Sequence, residues 1–146
     1  MVSAQFDEVV NGLTMEDAFP DVEHGHIVNG SFILLQLMNA KATSRGGIIL
    51  ASDTRETDKW NVQIAKVRAI GPTAYRSLET GELWWEGPWC KVGDLVRVPK
   101  YGFGADNWEI DLPDGKGTVL FTMAMDRDIR AELEETMDPR LIKSFI

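Results

Sequence analysis

Apolar residues gather in short runs bounded by glycine, proline and polar clusters, which predicts strands in preference to long helices. Ile27 to Leu37 reads as a first strand, with Gly30-Ser31-Phe32-Ile33-Leu34-Leu35-Gln36-Leu37 its clearest part. Asn61 to Ile70 reads as a second, closed by the Gly71-Pro72 stop. Val92 to Val98 reads as a third: it opens on a Gly93-Asp94 turn, alternates Val96 and Val98 with Arg97, and is halted by Pro99. Thr118 to Met123, with Val119, Leu120 and Phe121, supplies another core strand. Between the second and third strands, Glu79-Thr80-Gly81-Glu82 predicts a hairpin turn that places glycine at positive φ, and Leu83-Trp84-Trp85 returns the chain. Pro113-Asp114-Gly115 predicts another turn. Short helical pieces are expected only at the termini. One starts at the Thr14-Met15-Glu16-Asp17 cap and stops at Pro20; the other covers Asp126 to Met137 and closes before Pro139.

The stretch Lys41 to Asn61 fits none of these patterns. Gly46-Gly47-Ile48-Ile49-Leu50 stands among small, polar and charged residues, with neither a helical nor a period-two apolar pattern on its flanks. Ile48, Ile49 and Leu50 read in isolation as one short core strand. Yet a polar connection of roughly twenty residues between two strands far exceeds a hairpin loop, and such loops are functional or disordered. Flanks this polar bury too little apolar area to offset the entropy of ordering them. The expectation is a flexible loop with an apolar tip.

A strand, a flexible loop tipped Gly-Gly-Ile-Ile-Leu, and a strand ending Val67-Arg68-Ala69-Ile70-Gly71 together resemble the GroES-like co-chaperonin family. Leu78 to Leu83 resembles its roof hairpin, and Lys91-Val92-Gly93-Asp94 its Lys-Val-Gly-Asp strand start. Lys100-Tyr101-Gly102 resembles its Gly-Tyr-Gly turn with Lys in the first place, and Asp128-Ile129 with Ala131 its C-terminal segment. The resemblance runs from about Ile27 to Leu133. It implies an all-β fold: a GroES-like, partly open β-barrel with a mobile loop at 41–61 and a roof hairpin region at 73–90. That barrel, 27–133, would be flanked by an N-terminal extension, 1–26, and a C-terminal extension, 134–146. It also implies that Gly46, Gly47, Ile48, Ile49 and Leu50 bind the rim of a GroEL-type chaperonin. Glu79, Thr80, Gly81, Trp84, Trp85 and Tyr101 would belong to the chamber roof. Its lids are homo-heptamers matched to a seven-fold rim, they enclose unfolded client proteins, and ATP is bound by the chaperonin, so the lid needs no cofactor. The two extensions and the aromatic roof resemble a phage-encoded variant more than a standard bacterial lid.

Bulk properties narrow the alternatives. With 146 residues the chain reads as one domain, and 44% hydrophobic content suffices for a core. A formal charge of −8 disfavours general binding to nucleic acid or an anionic membrane. The lone Cys90 precludes an intrachain disulfide and suits a reducing cytoplasm. The N-terminus lacks the basic start and apolar run of a signal peptide, and no apolar stretch approaches transmembrane length. Nothing here suggests an enzyme: Cys90 has no histidine near it in sequence, and Tyr101-Gly102-Phe103-Gly104 and Gly115-Lys116-Gly117-Thr118 lack the context of nucleotide-binding loops. His24 and His26 stand two apart as metal ligands do, but no third histidine or nearby cysteine supports them, and no metal site is expected. Trp84, Trp85 and Trp89 read either as core or interface aromatics or as a ceiling that touches the client. Val9, Val10, Leu13, Met15 and Phe19 either pack on the barrel or belong to a loose acidic arm. The apolar tail Leu141 to Ile146 would pack on its own barrel or on a neighbour.

The energetics suit a reversible cap. Burying three such side chains yields roughly 5–8 kcal/mol, and ordering the loop cancels much of it. One loop binds poorly; a ring of loops binds well, because each later one docks at high effective concentration. The rival reading from a different class is an oligomeric structural or virion component built on the same barrel.

Overall fold

The computed structural model describes residues 19–38, 63–99, 106–113 and 117–134. Six strands account for most of the regular structure among them: β1 (Phe32–Leu37), β2 (Ile64–Ile70), β3 (Leu95–Arg97), β4 (Asp106–Asp111), β5 (Thr118–Met125) and β6 (Ala131–Glu132). They form one open antiparallel sheet in the order β4-β5-β1-β2-β3-β6, and the one helix lying wholly within the described residues is a 3-10 turn at Asp126–Asp128. The all-β expectation holds at this level. No helix among the described residues is long and apolar enough to cross a membrane.

The central strand explains the layering. Phe-Ile-Leu-Leu-Gln-Leu is apolar nearly throughout, so both faces of β1 need cover. Ile33, Leu35 and Leu37 point to one face and join Ala65, Val67, Val96, Val98, Leu120, Ala124 and Ile129 in the larger core. Leu34 points to the other and joins Val28, Val119 and Phe121, with Trp108, Ile110 and Val22 packed against them. The registers Leu35↔Thr122 and Leu34↔Met123 keep this alternation in step between β1 and β5. Thr122 is fully buried, and its hydroxyl has no partner among the described residues.

Between β1 and β2 the register slips. Leu34 faces Ala69 and Leu35 faces Val67, which leaves Arg68 as the extra residue of a β-bulge. Bulges re-aim a side chain, and here the Arg68 guanidinium reaches the segment 19–21. Its Nε donates to Gln36 Oε1 at 2.7 Å, and its Nη2 donates to the Phe19 and Pro20 carbonyls at 3.3 Å. The Gln36 amide donates to the Pro20 carbonyl at 2.9 Å. Phe19 is buried, so this end of the N-terminal extension packs on the sheet; Val9, Val10, Leu13, Met15 and the expected helical cap lie outside the described residues.

Several boundaries differ from expectation. Ile27 to Ser31 is not strand: Ile27 is exposed, and Gly30 turns at φ 59°. There the chain meets Gly71 so closely that a Cβ would lie 2.1 Å from the Gly30 carbonyl oxygen. The third strand shrinks to β3 because Val92 and Gly93 form a turn, with Gly93 at φ 97° and the Asp94 carboxylate accepting from Lys91 N–H at 2.9 Å. The expected helix from Asp126 is a correction. Its described part is a 3-10 turn followed by β6, because Arg130 and Leu133 donate their N–H groups to the carbonyls of Arg97 and Leu95 on the open edge of β3, both at 2.9 Å. Strand β4 was not foreseen. Asp-Asn-Trp-Glu-Ile-Asp is rich in residues that strands disfavour, and its place depends on Trp108 and Ile110 packing on Phe121 and Val119. The Leu112 N–H donates to the Gly117 carbonyl at 2.7 Å, closing the β4–β5 hairpin around the expected turn at Pro113, of which 114–116 lie outside the described residues.

Candidate functional site

Two regions contain the expected site residues. The first is the connection between β1 and β2. Gly46, Gly47, Ile48, Ile49 and Leu50 lie outside the described residues, as do Tyr101 and the tail from 135 onward. What the structure does fix is the base of that connection. The strands are antiparallel neighbours, Leu37 faces Ala65, and the Met38 N–H donates to the Ile64 carbonyl at 3.1 Å. Met38 and Gln63, the described residues on either side of the 39–62 connection, therefore stand at the same end of the two central strands.

The second region is the segment from Gly71 to Cys90, which crosses one end of the larger core. Its hairpin has a single bridge, Arg76↔Leu83. The Ser77 N–H donates to the Glu82 carbonyl and the Gly81 N–H to the Ser77 carbonyl, both at 2.8 Å. Gly81 adopts φ 76°, as the turn pattern requires, and Ser77 Oγ accepts from the N–H groups of Glu79 and Thr80 at 3.3 Å. Glu79, Thr80 and Gly81 are exposed at the tip.

Tyr75 anchors this hairpin. It is buried and adopts φ 59°, a left-handed conformation that costs an L-residue free energy. Two hydrogen bonds hold it there: its N–H donates to the buried Asp126 carboxylate at 2.9 Å, and its carbonyl accepts from Trp84 N–H at 2.9 Å. Its hydroxyl lies 3.4 Å from Cys90 Sγ. Burial, followed by the contact with Cys90, pushes the Tyr75 phenol far above its ordinary range; burial likewise raises the Cys90 thiol. A neutral, buried thiol paired to a neutral phenol is a packing group and a poor nucleophile.

Around Tyr75 the aromatic rings interlock. Trp84 meets it edge-on at 5.3 Å, Trp89 lies at 5.5 Å, and Trp84 and Trp89 meet at 5.2 Å. The Arg127 guanidinium lies over the Trp84 ring at 5.1 Å, a cation–π geometry. Trp84, Trp85, Glu86, Trp89 and Arg127 line an open groove of about 410 Å³. Trp84 and Trp89 are half-buried against the larger core, whereas Trp85 is 99% exposed. The three indoles thus answer differently to the two sequence readings: Trp84 and Trp89 pack on the core, and Trp85 does not. Arg127 and Asp126 carried no signal in the sequence, because their approach to the hairpin depends on the turn after β5.

Among the described residues no cluster of three or more metal-ligating side chains gathers around His24 and His26. The His26 ring stacks on Trp108 at 4.8 Å, and the His26 backbone N–H donates to His24 Nδ1 at 3.1 Å. Burial, then the charges of His26 and Arg68, lower the pKa of His24, which suits its role as an acceptor. Across β3 and β6, Glu132 is raised by burial and by the neighbouring Asp94.

No protein-family model matches this chain, and no curated protein matches it.

Proposed function

We propose that this chain is a co-chaperonin: a lid subunit of GroES-like architecture that assembles into a homo-heptamer and caps a GroEL-type chaperonin when that partner binds ATP. The observation that carries the reading is the paired base of the 39–62 connection at the end of β1 and β2. A tether anchored in the two central strands transmits a docking load to the whole sheet, and its sequence holds the Gly46-Gly47-Ile48-Ile49-Leu50 tip. In this reading the segment from Gly71 to Cys90 is the roof, with Glu79, Thr80 and Gly81 at its turn, and Tyr101 belongs to the same chamber surface. Unfolded clients are enclosed beneath it. The lid works in the cytoplasm, that of a host if the gene is phage-encoded, and it catalyses no chemistry and holds no cofactor or metal.

The test is gel filtration with a GroEL-type chaperonin, with and without ATP. The wild-type chain co-elutes only with ATP. Ile49→Asp, or deletion of 47–50, abolishes co-elution while the free protein keeps its oligomeric state. Equal binding by those variants removes the loop from the mechanism. Failure of the wild type to bind, with self-association intact, favours the structural-component reading.

A further inference from the structure

We propose that the groove lined by Trp84, Trp85, Glu86, Trp89 and Arg127 is a binding site for an extended, proline-containing peptide segment with an acidic residue beside the proline. The proposal is independent of chaperonin capping and stands or falls on the groove alone.

One wall of the groove, Trp84 and Trp89, is packed before any ligand arrives. Trp84 meets both Tyr75 and Trp89 edge-on, and Tyr75 is itself held by Asp126. A platform already ordered loses little entropy on binding. Trp85 is the open element: at 99% exposure it offers both ring faces and its N–H to a ligand. Single exposed apolar residues are ordinary, but a bare indole at the mouth of a groove lined by two more indoles is a contiguous aromatic surface. A proline ring lies flat on such faces, and a polyproline II segment enters with its backbone already ordered and its carbonyls unpaired.

The polar groups choose among aromatic-loving ligands. Trp89 Nε1–H is buried with no acceptor among the described residues, so the Trp89 edge that holds it is not the part a ligand meets, and the exposed polar groups of the groove are those of Arg127 and Glu86. Arg127 is exposed and makes its contact with the Trp84 ring; among the described residues its guanidinium pairs with no carboxylate. It is therefore free to take one from a ligand in bidentate geometry. Glu86 on the same groove is an acceptor for a peptide N–H. The exposed guanidinium is what separates a carboxylate-bearing peptide from a neutral sugar, which would also stack on the indoles.

The test is isothermal calorimetry on the full chain without any chaperonin. The probe is a blocked proline-rich peptide with one aspartate next to its central proline. Controls replace the prolines by alanine or the aspartate by asparagine, and a further arm uses cellohexaose. Weak binding, with Kd on the order of 100 μM, is expected for the probe, with about tenfold or greater loss on alanine replacement. Trp85→Ala, at a site too exposed to affect folding, weakens binding by about tenfold. Arg127→Gln weakens it by about threefold to fivefold, removes the preference for aspartate over asparagine, and flattens the salt dependence. No binding of the probe at millimolar concentration, unchanged affinity in Trp85→Ala, or binding of cellohexaose in place of the peptide overturns the proposal.

Discussion

Arg68 Nε donates to Gln36 Oε1 at 2.7 Å from the extra position of a β-bulge, and both side chains share the Pro20 carbonyl as an acceptor. A fully buried glutamine amide at the centre of a sheet requires partners for its oxygen and its nitrogen, and this arrangement supplies both. The same contacts pin residues 19–21 against β1 and β2 on the face that carries Leu34 and Gln36, with the exposed Asp21 carboxylate 3.7 Å from the guanidinium in a weak ion pair.

Arg68→Met strands the Gln36 carbonyl in the interior and should lower stability by about 2–3 kcal/mol. In the double variant Gln36→Leu with Arg68→Met no orphaned amide remains, so its loss should be smaller than the sum of the two single losses. Urea midpoints of the four proteins measure this, and simple additivity would show that the two side chains are not coupled.

Gly71 and Gly81 separate two reasons for glycine. A Cβ at Gly71 would collide with the Gly30 and Asn29 carbonyl oxygens, at 2.1 and 2.8 Å, whereas one at Gly81 meets open space but sits at φ 76°. Gly71→Ala should cost about 3 kcal/mol through forced backbone movement, and Gly81→Ala about 1 kcal/mol through conformation alone. Thermal unfolding of the two variants should show that order; the reverse order contradicts the contact at Gly30.

Asp126→Ala removes the acceptor that holds Tyr75 in its left-handed conformation. A loss of about 2–3 kcal/mol is expected for a buried N–H left without its charged partner. Because Trp84 and Trp89 rest on Tyr75, the near-ultraviolet circular dichroism of the indoles should weaken in the same variant below its unfolding transition. An unchanged aromatic spectrum would separate the hairpin from the turn after β5.

The lowered pKa of His24 makes stability depend on acid. Its ordinary value is 6.5; the folded state binds the proton more weakly than the unfolded chain does, because burial, His26 and Arg68 disfavour the charged ring. The stabilising contribution is therefore present above pH 6.5 and is lost as pH falls through the lower folded value. His24→Gln should flatten the dependence of the urea midpoint on pH over that interval. A wild-type profile that does not fall there would mean the imidazole is solvated.

The strands of the core were legible because their causes are local. Phe32 to Leu37, Ile64 to Ile70 and Thr118 to Met125 are runs of apolar and β-branched residues whose alternation or continuity implies burial whatever surrounds them. The Glu79 to Glu82 turn was equally local, since Gly81 needs only its own backbone freedom. Strand β4 was not legible. Trp108 and Ile110 fix it against β5, and nothing within Asp-Asn-Trp-Glu-Ile-Asp announces that partner. Asp126 to Met137 read as helix because alanine, leucine and glutamate favour it, but the unpaired edge of β3 drew Arg130 and Leu133 into strand pairing.

The amino-acid order by itself determined which segments must be buried, where the chain turns, and that an apolar tip at 48–50 lies within a polar connection between two strands. Only the tertiary structure decided that those strands are neighbours, that a bulge sends Arg68 to Gln36, and that Arg127 comes to rest over Trp84. The physical reason is range: side-chain periodicity and turn chemistry act over a few residues, whereas bulges, edge pairing and cation–π contacts join positions that only folding brings within a few ångströms.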